Sequence, residues 1–150
     1  MINFIGEYRA KMDDKGRLIF PSAFKALMPA GAPARFVIRK NTFEECLDMF
    51  IYEEWEKESA RIREMLNPFD REDAMFWRAY TRDRAVVEPD PRLGRMTIPR
   101  KLLELIGANK EIVFSGSDNK IEIWAAEKYD TSGISEEEFI SLAGRFASKK

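Results

Sequence analysis

Met12-Asp13-Asp14-Lys15-Gly16-Arg17-Leu18-Ile19-Phe20-Pro21 returns later in the chain as Asp90-Pro91-Arg92-Leu93-Gly94-Arg95-Met96-Thr97-Ile98-Pro99. Both copies run polar turn, Gly-Arg, three apolar or β-branched residues, then Pro. The match continues outward. Ser-Ala-Phe-Lys-Ala-Leu-Met follows Pro21 and Arg-Lys-Leu-Leu-Glu-Leu-Ile follows Pro99, so Phe24 and Leu27 align with Leu102 and Leu105. Leu47-Asp48-Met49-Phe50 aligns with Ile121-Glu122-Ile123-Trp124, and Trp55 with Tyr129, the first half carrying a few extra residues between blocks. A repeat of this kind makes each half one supersecondary unit of a pseudo-symmetric pair. It also sets two arginines in equivalent surroundings.

The chain has 150 residues, so each half alone is too small to bury much of its surface, and the halves are expected to share one core. Apolar residues at 45% and aromatics at 12% are enough for a packed interior, which excludes a disordered chain. No apolar run is long enough to span a bilayer and no secretory leader is visible, so a cytoplasmic location is expected. The single cysteine, Cys46, has no intramolecular partner and reads as a structural residue in or beside a strand.

Histidine is absent, which removes Ser-His-Asp triads, Cys-His pairs and histidine metal sites. Asp13 and Asp14 are adjacent and on a strand would face opposite ways, a poor acid–base pair. Pro29-Ala30-Gly31-Ala32-Pro33 lacks the spacing and the lysine of a phosphate loop. The expectation is therefore no catalysis, no metal and no cofactor. Net charge is -1, so nucleic-acid binding would need local positive charge. Arg9, Lys11, Lys15, Arg17 and Lys25 surround the first motif; Arg84, Arg92, Arg95, Arg100 and Lys101 surround the second.

Phe4 to Met12 reads as a strand ending in Asp-Asp-Lys-Gly, where the glycine suits a tight hairpin, with Arg17 to Phe20 as the return strand. Pro21 fits the first turn of a short helix. Arg35 to Lys40 and Cys46 to Ile51 read as further strands. Trp55, Ile62 and Leu66 then recur at helical spacing, predicting a helix over 53–65, and Asp70 caps a second over 70–80 with Phe69, Phe76, Trp77 and Tyr80 on its aromatic side. That aromatic group suits either a protomer contact or core packing, while Trp55 and Trp124 belong to the core. The second half repeats the order: strand 84–87, strand 95–98, helix 99–106 stopped by Gly107, then a hairpin of 112–114 and 120–124. Ser135 and Glu138 form a capping box for a final helix sharing Phe139, Leu142 and Phe146 on one face. Ala147 to Lys150 reads as frayed.

Taken in order, Asp-Asp-Lys-Gly-Arg-Leu-Ile-Phe-Pro, Tyr52-Glu53-Glu54-Trp55, Leu-Gly-Arg-Met-Thr-Ile-Pro and Ile121-Glu122-Ile123-Trp124 resemble the MraZ family over nearly the whole chain. The resemblance implies an α+β fold of two tandem AbrB-like (SpoVT-AbrB) swapped-hairpin modules forming one pseudo-symmetric domain with flanking helices. The modules would span 1–81 and 82–130, with a C-terminal helix and tail over 131–150. It further implies a cytoplasmic, nucleoid-associated transcriptional regulator of the division and cell-wall gene cluster. Such a protein would be a ring-shaped homo-oligomer, typically an octamer, binding double-stranded DNA at short direct-repeat boxes near its own promoter. An oligomeric protein-interaction module of the same fold without DNA binding is the alternative.

The family hallmark is Asp-x-x-x-Arg once per half. Asp13 and Arg17 satisfy it. In the second copy Arg95 is present but Pro91 stands at the acidic position, with Asp90 one residue further back, so that site is either weakened or rebuilt around Asp90. Bidentate Arg to guanine is the commonest specific base contact and a two-stranded ribbon fits the major groove. Arg17 and Arg95 are thus expected to contact bases or adjacent phosphates. Lys15 and Arg92 would supply phosphate contacts, with Arg9, Lys11 and Arg84 in support, and Asp13 would orient Arg17.

Overall fold

The repeat in the sequence becomes a repeat of elements. The computed structural model describes residues 3–148. Strands β1 (Glu7–Lys11) and β2 (Arg17–Ile19), helix α1 (Ser22–Ala26), strands β3 (Phe36–Lys40) and β4 (Leu47–Ile51), and helices α2 (Tyr52–Glu64) and α3 (Arg71–Tyr80) make the first half. The same order recurs as β5 (Ala85–Val87), β6 (Arg95–Thr97), α4 (Arg100–Leu105), β7 (Glu111–Ser117), β8 (Lys120–Ala125), α5 (Ala126–Thr131) and α6 (Glu136–Ala147). The fold is α+β, antiparallel in its strand pairing, with six helices among the described residues.

The caps are where the chemistry puts them. Asp70 accepts from the Glu72 and Asp73 N–H groups, and the Ser135 hydroxyl accepts from the Glu138 N–H, satisfying helix donors that have no internal partner. Pro21 and Pro99 stand directly before α1 and α4, where a missing N–H costs nothing. Of the expected frayed end, Ala147 closes α6 and Ser148 caps it, while 149–150 lie outside the described residues.

Strand partners are exchanged between the halves. The six-stranded sheet has the order β1-β7-β8-β4-β3-β5, so β1 pairs with the second half's hairpin and β5 with the first half's. A separate two-stranded ribbon joins β2 to β6. This corrects the expected hairpins of β1 with β2 and of β5 with β6. The turn after Met12 closes, with the Asp13 N–H donating to the Arg17 carbonyl at 3.1 Å, but the two strands then enter different sheets. The physical reason lies in length and face. β2 and β6 have three residues each, and lying against each other they turn their middle residues, Leu18 and Met96, inward.

One apolar cluster spans both halves beneath the ribbon. Phe20 sits at its centre, 5.1 Å from Phe36 and 5.9 Å from Phe114 between ring centroids, with Phe24, Ile98, Leu102 and Ile106 closing over it. Phe24 and Leu102 are buried while their helix neighbours Leu27 and Leu105 reach solvent, as the alignment of the two copies requires.

The opposite face of the sheet is covered unequally. Over the first half, α2 and α3 bury Val37, Phe50 and Trp55, and Tyr80 stacks on Trp55 at 6.0 Å, with Phe76 and Trp77 stacked on Tyr80 in turn. Over the second half, among the described residues, lies only the six-residue α5, a helix the periodicity does not single out. Trp124 is consequently half-buried rather than in the core, its ring edge-on to Tyr129 and its N–H donating to Glu122 at 3.0 Å.

Candidate nucleic-acid interface

The two Gly-Arg loops come together at the ribbon. β2 and β6 pair Arg17 with Thr97, Leu18 with Met96 and Ile19 with Arg95, which places a local two-fold axis through the Leu18–Met96 pair. Side chains alternate across a strand, so Leu18 and Met96 enter the core while Arg17, Ile19, Arg95 and Thr97 share the outer face. With Lys11 and Asp13 these four line a shallow concavity of about 710 Å³. The Arg17 and Arg95 side chains are 61% and 69% exposed, so both guanidinium groups are reachable from solvent.

Each loop is folded around one carboxylate. Asp13 accepts from the backbone N–H groups of Lys15 and Arg17, both at 2.9 Å, and from Arg17 Nε at 2.5 Å. In the second loop Asp90 does the same work. It accepts from the N–H groups of Arg92 (3.0 Å), Leu93 (2.8 Å) and Arg95 (2.7 Å), and from Arg95 Nε at 3.3 Å. The loop is one residue longer and still closes by the same main-chain pair, with the Asp90 N–H donating to the Arg95 carbonyl at 2.9 Å. The second motif is therefore rebuilt around Asp90, and Pro91 occupies a loop position that needs no N–H.

These contacts favour the charged carboxylates. The Arg17 N–H, then the Arg17 side chain, hold Asp13 below the ordinary carboxylate range. The Leu93 N–H leads the groups that pull Asp90 down to about 2, against partial desolvation. Each carboxylate engages Nε of its arginine and leaves the terminal Nη groups projecting outward, the part of the fork that reads a base edge or phosphate.

Two glycines let the halves meet. Gly16 and Gly94 have φ of +78° and +76°, and a Cβ at either would run into the other half's backbone, 2.6 Å from the Ile98 carbonyl oxygen and 3.2 Å from that of Phe20. The Ile98 N–H donates to the Gly16 carbonyl and the Phe20 N–H to the Gly94 carbonyl, at 3.0 and 2.8 Å.

Not every nearby cation is free to meet a ligand. Arg9 donates to Asp130 and lies 3.6 Å from Glu111, and Arg84 lies over the Trp55 ring. Lys25 Nζ donates to the Pro91 carbonyl at 2.8 Å and Arg100 to the Asp14 carbonyl. Each loop is thus propped, at the residue after its aspartate, by a cation from the other half. No local pattern around Lys25 or Arg100 marks that role. Lys15 and Arg92 sit exposed at the loop tips, beside Arg17 and Arg95.

Away from the ribbon, Cys46, Asp48 and Glu122 bring potential ligand atoms within 4.8 Å of one another. Their charges are already met: Lys120 lies 3.1 Å from Asp48 and 3.7 Å from Glu122, and Arg39 lies 3.6 Å from Asp48. Burial pushes the Cys46 thiol up to about 12, so it is protonated and inert at neutral pH. This cluster holds β4 to β8 at the centre of the sheet.

A family model described as "MraZ protein, putative antitoxin-like" matches residues 86–145. The protein named transcriptional regulator MraZ from Christiangramia forsetii is 40% identical, over 95% of this chain and 92% of its own length. The one from Bacteroides thetaiotaomicron is 35% identical over 93% of this chain and 88% of its own, and that from Acetivibrio thermocellus 33% identical over 85% of each. The chain belongs to the MraZ family. The relatives are named as transcriptional regulators, not as enzymes. Among the described residues, no helix is long and apolar enough to cross a membrane.

Proposed function

We propose that this chain is a DNA-binding transcriptional regulator in which the β2–β6 ribbon meets duplex DNA through its outer face. The observation that carries the reading is the paired arginines, each with Nε bound to a loop aspartate and its remaining donors facing solvent. Arg17 and Arg95 read guanine edges or adjacent phosphates, Lys15 and Arg92 supply phosphate contacts, and Asp13 and Asp90 aim the guanidinium groups. Net charge is -1, so non-specific attraction is weak and the charge that matters is local to this ribbon.

The family suggests the rest. The two halves, 1–81 and 82–130 with a tail over 131–150, are AbrB-like swapped-hairpin modules, a reading favoured by the exchange of β1 and β5 between hairpins. The target is a series of short direct repeats near the promoter of the division and cell-wall gene cluster, met by a ring-shaped homo-oligomer, an octamer, in the cytoplasm and on the nucleoid. Several identical ribbons on one ring raise the effective concentration at successive boxes, which offsets the few contacts each ribbon makes.

Footprinting on the upstream region of the chain's own gene tests this. Protection should recur at the spacing of the repeats and weaken steeply with added salt. No protection even at low salt would favour the protein-interaction reading, and uniform protection would mean binding without preference for the repeats.

A further inference from the structure

The local two-fold axis of the ribbon relates unlike ends. At one end Arg17 stands opposite Thr97, and the Gly16 carbonyl accepts from the Ile98 N–H at 3.0 Å, so Lys15, Arg17 and Thr97 gather there. At the other Arg95 stands opposite Ile19, and the Gly94 carbonyl accepts from the Phe20 N–H at 2.8 Å, bringing Leu93 to that end. The positions correspond residue for residue: Lys15-Gly16-Arg17 to Leu93-Gly94-Arg95, and Thr97 to Ile19. Both guanidinium groups are held alike, but one has an ammonium and a hydroxyl as neighbours where the other has two branched apolar side chains.

Those apolar side chains serve no core. Ile19 is 51% exposed and Leu93 60%, whereas Leu18 and Met96 beneath the ribbon are buried. Cross-strand neighbours on one face have Cβ atoms about 5 Å apart, so Ile19 lies directly beside Arg95. Whatever Arg95 grips, Ile19 borders. The major groove offers one apolar group, the thymine C5-methyl; the other base-edge groups along it are hydrogen-bond donors and acceptors. An apolar pair pressed against those would strip their water and return no hydrogen bond. Lys15, at the opposite end, suits a phosphate instead.

We infer that Ile19 and Leu93 select thymine, through its C5-methyl, next to the base that Arg95 engages, and that this gives the ribbon a direction on DNA. A ribbon with identical ends would sit on its site either way round. Unlike ends allow one orientation, as the direct repeats proposed above require. The inference rests on the ribbon meeting DNA and adds the residues that set its polarity.

The test replaces thymine by deoxyuridine, which removes the methyl and keeps the base pair. Fluorescence anisotropy at one salt concentration compares the promoter fragment with the same fragment carrying deoxyuridine throughout its boxes. Wild type should bind the substituted fragment about three- to fivefold more weakly per box engaged, the order expected for one buried methyl. Ile19→Ser with Leu93→Lys changes two exposed side chains and should bind both fragments alike. Arg17→Ala, weaker on both, should keep the wild-type ratio. With thymines replaced one at a time, the sensitive positions should lie on one side of each box. Equal binding of the two fragments by wild type would overturn the proposal and leave the arginines in place, the apolar end then facing a protein partner. Methyl sensitivity surviving in the double variant, or found on both sides of a box, would overturn it as well. No binding to either fragment would remove the ribbon's role on DNA and this inference with it.

Discussion

The two Gly-Arg loops differ in length and composition yet fold alike, whereas the two outer faces of the sheet descend from the same repeat and end up unlike. In the loops, one carboxylate gathers the same kinds of donors whether it sits four residues before the arginine, as Asp13 does, or five, as Asp90 does. On the outer faces, Phe50 is buried under α2 and α3 while its counterpart Trp124, half-buried, meets Tyr129 of the shorter α5. Symmetry is kept where the halves touch each other and relaxed where each meets its own helices. The loops are positioned by contacts that cross the axis, so a change in one copy must still fit the other.

The largest effect should come from the outer faces. Phe50→Ala removes a buried ring and should cost about 3–5 kcal/mol of unfolding free energy, with Trp124→Ala costing less than half as much. Denaturant titration of the two variants measures the gap, and equal losses would mean that Trp124 is buried in solution, for instance by an assembly partner. Next come the glycines. Gly16→Ala drives a Cβ toward the Ile98 carbonyl at positive φ and should destabilise by about 2–3 kcal/mol, Gly94→Ala by about 1–2 kcal/mol. A Gly94 variant worse than the Gly16 variant would show that the second loop is the stiffer.

Smaller effects probe the carboxylates. Asp13→Asn and Asp90→Asn keep an oxygen for the backbone N–H groups but lose the charge on the guanidinium, so DNA affinity should fall by about a few fold in both. The pH dependence has a fixed sign. Both carboxyls are depressed in the folded state, so their contribution is present above the ordinary carboxylate value and is lost as pH falls, for Asp90 toward about 2. An NMR titration should find the Asp90 midpoint near 2 and that of Asp13 below the ordinary carboxylate range. Ordinary midpoints for both would mean that the loops are open in solution.

The sequence made the strands, caps and repeat readable because those signals are local: the short, mostly apolar run Leu47–Ile51, the Asp70 and Ser135 caps, Pro21 and Pro99 before helices. It did not reveal which strand pairs with which. A five-residue strand such as β1 fits its own neighbour or its twin's hairpin by periodicity alone, and only the shared core decides. Helix α5 carries little periodicity because six residues make fewer than two helical turns, although the alignment of Trp55 with Tyr129 points to it. Trp124 reads as a core residue in the sequence, a reading that fails because the helices covering its half differ from those over Phe50. At the site, the arginines and Asp13 were legible from the motif. The props Lys25 and Arg100 were not, since nothing local marks a lysine that will donate to a carbonyl on the other half.

The most direct measurement is the affinity of Arg17→Ala and Arg95→Ala for a promoter fragment carrying the repeated boxes, at one fixed salt concentration. Because Asp90 rebuilds the second loop, both variants should lose affinity to a similar extent, about ten- to hundredfold each. Wild-type affinity in Arg95→Ala beside a large loss in Arg17→Ala would contradict the equivalence of the two loops, and wild-type affinity in both would remove the ribbon from the interface.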